Sequence, residues 1–153
     1  MSDNYSAVRL FDDGVAAYIR EDFKTGIKQF SQALKENRRF APAYAGRGAA
    51  YLRINKIQKA ISDFTCAIRL MPSDARSFHL RGLAYEKAGE IARAYRDFDR
   101  AIEIDPDLTA AYRSRDAALD KEIEDRGAME DPELIDHLTS MRVTLLRHEK
   151  KAA

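Results

Sequence analysis

Gly14, Gly48 and Gly82 stand 34 residues apart, and no feature of the chain constrains its fold more than that interval. The same step separates Phe30, Phe64 and Phe98, then Ala33, Ala67 and Ala101, then Leu34, Ile68 and Ile102. Leu10, Tyr44, Phe78 and Tyr112 form a further series, and so do the small residues Gly26, Ala60 and Ala94. Tyr51 and Tyr85 make the last, with Ala17 in their place in the first unit. Seven columns at one period describe a structural unit that cannot bury its apolar face alone and is stabilised by stacking on its neighbours.

Each unit reads as two helices. In the second, Ala43 to Ile54 carries Tyr44, Gly48, Tyr51 and Leu52 at helical spacing. A break at Asn55 and Lys56 follows, then a second stripe of Ile57, Ile61, Phe64 and Ile68. The third unit turns at Gly89 and Glu90, where glycine tolerates a positive φ. Pro72 and Pro106 close the second and third units, since proline cannot continue a helix. Glycine on the first helix facing a small residue on the second lets the two backbones approach closely. Gly48→Leu is therefore expected to overpack that contact, at about 1–3 kcal/mol.

An aromatic followed by Gly and Tyr, then Ala–x3–Phe–x2–Ala and a proline, resembles the tetratricopeptide repeat. Residues 41–74 carry Tyr44, Gly48, Tyr51, Ala60, Phe64, Ala67 and Pro72, and residues 75–108 carry Phe78, Gly82, Tyr85, Ala94, Phe98, Ala101 and Pro106. Residues 7–40 depart from the pattern, with Ala17 for Tyr, Gly26 for Ala, and Arg38 where proline belongs. The usual first-helix leucine is replaced throughout, by Asp13, Arg47 and Arg81. The resemblance implies an all-α fold, a right-handed solenoid of antiparallel helix pairs, with an extra amphipathic C-terminal helix added here. The expected layout is three repeat units over 1–126 (7–40, 41–74 and 75–108), a capping helix over 109–126, and a linker and amphipathic helix over 127–153.

The capping helix continues the pattern with Tyr112, Ala117 and Leu119, but Asp116 occupies the glycine column. Arg113, Arg115, Asp120, Lys121, Glu122 and Glu124 are expected to face water. Beyond it, Asp131-Pro132-Glu133 reads as a helix start. Leu134, Leu138, Met141 and Leu145 then form an apolar stripe, widened by Ile135 and Leu146. That face requires a partner: the concave groove, a second copy, or the neighbouring capping helix.

The resemblance also places the first helices on the concave face. Groove positions are then Val8, Phe11, Asp12, Val15, Tyr18 and Ile19 from the first unit, Ala45, Gly46, Ala49, Leu52 and Arg53 from the second, Arg76, His79, Leu80, Leu83, Glu86 and Lys87 from the third, and Arg113, Ser114, Ala117 and Asp120 from the capping helix. Members of the family that grip a chaperone's C-terminal carboxylate use Lys, Asn and Arg at positions matched here by Phe11, Val15, Gly46, Arg76 and Leu80. Only Arg76 suits that chemistry, so a carboxylate clamp is not expected. An apolar groove of this extent is seldom left wet, and Ala45, Gly46 and Ala49 admit a helix at close range.

Composition narrows the function by exclusion. Twenty-six basic and 25 acidic residues give a net charge of +1, without the basic excess that neutralises nucleic-acid phosphates. No apolar run reaches the ~20 residues that span a bilayer, and the N-terminus lacks a basic and apolar leader pattern. Cys66 is the only cysteine, so no internal disulfide forms. A cytoplasmic location is expected. The glycines belong to packing columns rather than a phosphate loop. His79, His137 and His148 share no metal-ligand spacing with one another, and the acidic pair Asp97 and Asp99 reads as an ordinary solvated face. No catalytic residue, cofactor or metal is expected. The leading expectation is a non-catalytic scaffold that binds an apolar or amphipathic peptide or helix of a protein partner. A self-assembling or autoinhibited module, using the C-terminal helix in the groove, is the alternative. A secretion-type chaperone is a third reading, by fold analogy.

Overall fold

The fold is that of a computed structural model, which describes residues 2–125, with side chains from 5 to 124. Among the described residues seven helices follow one another: α1 Ser2–Ile19, α2 Phe23–Glu36, α3 Ala41–Arg53, α4 Ile57–Leu70, α5 Ala75–Lys87, α6 Ile91–Ile104 and α7 Thr109–Asp125. The C-terminal stripe Leu134, Leu138, Met141 and Leu145 lies outside the described residues.

Local chemistry sets the boundaries. The Asp22 carboxylate accepts the Thr25 amide and caps α2, while Asp74 accepts the Arg76 amide and the Ser77 hydroxyl at the start of α5. Pro42 sits in the first turn of α3, where its missing N–H costs nothing. Within each pair the chain reverses through one left-handed residue: Glu21 at φ 61°, Asn55 at 59° and Gly89 at 78°. These are again 34 residues apart. Gly and Asn occupy that region readily, whereas Glu does so against its Cβ.

The helices pair as α1·α2, α3·α4 and α5·α6, and each pair stacks on the next. First helices also touch one another, as α1·α3, α3·α5 and α5·α7. Phe30, Phe64 and Phe98 are the largest fully buried side chains and form the spine of the stack. Their rings lie against the glycine column. A Cβ on Gly14 would stand 2.7 Å from Phe30, one on Gly48 2.9 Å from Phe64, and one on Gly82 2.4 Å from Phe98. Real side chains do not approach that closely, so glycine here is a packing requirement.

A second repeated contact runs through polar groups. Arg47 clamps Asp63 through Nε and Nη2, both at 2.8 Å, and donates through Nη1 to Ser31 of the preceding pair at 3.1 Å. Arg81 repeats this with Asp97 at 2.7 and 2.8 Å and Thr65 at 3.2 Å. Arg115 reaches Asp99 at 2.6 Å. Bidentate pairing raises the pKa of Arg47 and Arg81 further, against the opposing cost of burial. Thus Arg115 and Asp97, expected on a solvated face, are largely buried links between helices. The substitutions of leucine by Arg47 and Arg81 make tie-bars that hold each helix pair to the one before it.

Candidate functional site

The inner faces of α1, α3 and α5 border an open cleft of about 500 Å³. Its wall from α1 is Phe11, Val15 and Tyr18, its base from α3 is Ala45, Gly46 and Ala49, and its far wall carries Leu80 of α5. Helical spacing explains the grouping. Phe11, Val15 and Tyr18 recur at steps of four and three, as do Ala45 and Ala49, so each set occupies one helix face. The small side chains of α3 leave room between the bulkier walls.

Gly46 deepens the cleft. It stands one period before Leu80 and one after Asp12, so the second unit alone has no side chain at this position. The Phe30 ring fills that space from behind, only 2.7 Å from where a Gly46 Cβ would sit, and so contributes to the lining. Phe30 belongs to α2, a second helix, and so lies outside the first-helix positions expected to line the groove. Met71, which is 45% exposed, and the helix starts around Pro42, Asp74 and Ser77 complete one rim.

Tyr18, Ala49 and Leu80 are shared with an adjoining cleft of about 480 Å³, which continues along Leu52, Leu83, Arg53, Glu86 and Lys87. The two compartments form one path across three helix pairs. Its middle is apolar and charges stand at its ends. Arg76 lies at the first rim, with Asp74 committed to capping α5. At the other end the Arg53 guanidinium stacks over Phe23 at 4.7 Å and meets Glu21 at 3.3 Å. Both partners of that ion pair are exposed, so the stacking positions Arg53 more than the pairing does.

Not all of the expected groove residues border the path: Val8, Asp12 and the capping-helix positions line neither compartment. Ile19 is 74% exposed and lines neither compartment. His79 lies between α5 and α7, with Nε2 2.9 Å from the Ser114 hydroxyl and its ring 5.8 Å from that of Phe98. Burial lowers its pKa. Phe11, Val15, Tyr18, Ala45, Ala49, Leu52, Arg53, Arg76, Leu80 and Leu83 all border the path. Among the described residues no cluster of three His, Cys, Asp or Glu side chains is arranged to hold a metal ion. No described helix is long and apolar enough to cross a membrane.

Residues 75–108 match the family model described as tetratricopeptide repeat. No curated protein sequence matches the chain. Among solved structures, the first such domain of human RPAP3 superposes with a TM-score of 0.78 at 19% identity, covering 82% of this chain and 98% of that one. MamA of Desulfovibrio magneticus gives 0.77 at 19%, covering 95% and 76%. The second domain of human RPAP3, in complex with the HSP70 peptide SGPTIEEVD, gives 0.70 at 25%, covering 76% and 95%. The third unit thus matches the tetratricopeptide repeat in sequence, and the stacked pairs have the fold of solved tetratricopeptide-repeat domains.

Proposed function

We propose that the chain is a non-catalytic protein-interaction scaffold that takes an apolar or amphipathic segment of a partner protein into the cleft across α1, α3 and α5. The observation that carries this reading is the open apolar path from Phe11 and Val15 over Ala45 and Ala49 to Leu80, about 500 Å³ in its larger compartment. A partner's apolar side chains gain about 25 cal/mol per Å² on entering such a surface, and the preformed walls add little ordering cost. The small residues of α3 allow the backbone of a bound helix to lie close.

Similar domains hold peptides: human RPAP3 is seen with an HSP70 peptide, and the yeast Sti1 TPR2B domain in a complex with pHsp70. The ligand differs here. Phe11, Val15, Gly46 and Leu80 stand where members of the family that clamp a carboxylate place polar residues, so apolar contact replaces that grip. Arg76 and Arg53 at the two ends orient the segment more than they bind it.

The test is a peptide selected by display against the chain and titrated into wild type, Leu80→Asp and Phe11→Asp. Each substitution places a charge in the apolar path, and affinity should fall at least tenfold while far-ultraviolet dichroism stays unchanged. Equal affinity for all three proteins would contradict the groove.

A further inference from the structure

Among the described residues three loops join one helix pair to the next helix: 37–40, 71–74 and 105–108. They are built alike. Asn37, Met71 and Asp105 each donate the amide to the carbonyl four residues back, and the amides of Phe40, Asp74 and Leu108 donate to the carbonyls of those same three residues. Equivalent loops on stacked pairs follow one another along one edge of the stack. Met71 and Asp74 reach the rim of the cleft, but no residue of the first or third loop lines either compartment.

The chemistry changes in order along that edge. The first loop exposes Arg38 and Arg39, extended by exposed Lys35 in the last turn of α2, with Glu36 alone opposing them. The middle loop carries Met71, 45% exposed, and the exposed Pro72. Arg69, the cation nearest to them, donates to Cys66 of its own helix. The third loop exposes Asp107 close to Asp105, extended by exposed Glu103 in the last turn of α6. Lys35, Arg38, Arg39 and Asp107 make no ion pair with any described residue, and Glu103 meets only Arg100 of its own helix in an exposed contact. The edge is positive at one end, apolar in the middle and negative at the other.

Such a pattern is complementary to itself. When a second copy is turned about a two-fold axis through the middle loop, Arg38 and Arg39 of each copy face Glu103 and Asp107 of the other, while Met71 and Pro72 meet their own equivalents. A parallel pairing would set arginine against arginine and aspartate against aspartate, so the charges fix the direction. The net charge of +1 leaves little long-range repulsion between copies. Any other partner would have to reproduce this gradient, which a second copy already carries.

We infer that this edge is a self-association surface, on which two copies of the chain pair antiparallel through the loops 37–40, 71–74 and 105–108. The surface is independent of the groove reading. The test is sedimentation equilibrium of the full chain. A dimer should form at low salt and weaken at least tenfold by about 1 M salt, where the screening length is about 3 Å. Arg38→Glu with Arg39→Glu, and separately Glu103→Arg with Asp107→Arg, change only exposed side chains; Asp105 stays because it accepts the Asp107 amide. Each double variant alone should dimerise at least tenfold more weakly, with unchanged helicity. Mixed one to one they should recover a dimer, because each then meets the charges it lacks. Met71→Lys should weaken the wild-type dimer, and Leu80→Asp should leave it intact, which separates a failure here from a failure of the groove.

A wild type that stays monomeric at about 0.5 mM in low salt would overturn the inference. So would a dimer that survives either charge reversal, or variants that stay apart when mixed. Growth beyond the dimer would show an open array in place of a two-fold pair and overturn it as well.

Discussion

The first and third helix pairs share a plan and differ where polar chemistry ties the stack together. In the third, Arg81 clamps Asp97 and reaches back to Thr65, and Gly89 makes the left-handed turn. In the first, Asp13 and Gln29 stand at the clamp positions and Glu21 is held at φ 61°. The phenylalanine spine is the same in both: Phe30 and Phe98 are each buried against a glycine. Apolar packing is thus uniform along the molecule, whereas the first pair lacks its own Arg–Asp clamp and is joined to the tie-bars only through Ser31, which accepts from Arg47. That pair supplies one wall of the cleft.

The comparison breaks most severely if the tie-bar is removed. Arg81→Met leaves Asp97 buried without its partner, and stability to urea should fall by about 3 kcal/mol. A loss below about 1 kcal/mol would show that the clamp is ornamental. Sharpening it in the other direction, Asp13→Arg together with Gln29→Asp installs the missing pair at the same separation of 16 residues. Thermal unfolding should then report a gain of about 1 kcal/mol. Either substitution alone should give none. Glu21→Gly relieves the strained turn, and the ion pair it sacrifices is exposed and contributes little, so stability should rise by about 0.5–1 kcal/mol. A decrease would mean that Glu21 positions Arg53 more firmly than the geometry indicates.

The smallest effect is on pH. Burial between α5 and α7 holds His79 below its ordinary value of 6.5. The folded state therefore binds fewer protons than the unfolded state as pH falls through that value, and stability declines there. At pH 7 and above the penalty vanishes. His79→Gln should flatten the stability profile between pH 7 and the lowered pKa, and an unchanged slope would remove His79 as its source.

Much of this was legible in the sequence, because packing columns repeat in residue type. Gly14, Gly48 and Gly82 with Phe30, Phe64 and Phe98 declare a helix-pair stack before any coordinate is known. The turns at Asn55 and Gly89 follow from turn chemistry, whereas the equivalent turn at Glu21 carries no such signal, because packing of the pair overrides its local preference. The tie-bars are less legible for a different reason. Asp97 has the acidic Asp99 close by in sequence, whereas its partner is Arg81, 16 residues back. The signal was present: Arg47, Arg81 and Arg115 keep the 34-residue interval, as do Asp63 and Asp97, and Ser31, Thr65 and Asp99. First-helix positions bring Phe11, Val15, Ala45, Ala49 and Leu80 into the expected groove, and all five border the cleft. Phe30 is not among them, because its contribution depends on the absence of a side chain at Gly46. Ile19, a groove position by the resemblance, is exposed and lines neither compartment.

The central claim is that partners enter through the cleft across the first helices. A titration of the isotope-labelled chain with a display-selected apolar peptide, followed by amide chemical shifts, tests it most directly. Perturbed residues should cluster on the inner faces of α1, α3 and α5, around Phe11, Val15, Ala45, Ala49 and Leu80. A cluster on α2, α4 and α6 instead, with those residues unmoved, would contradict the account.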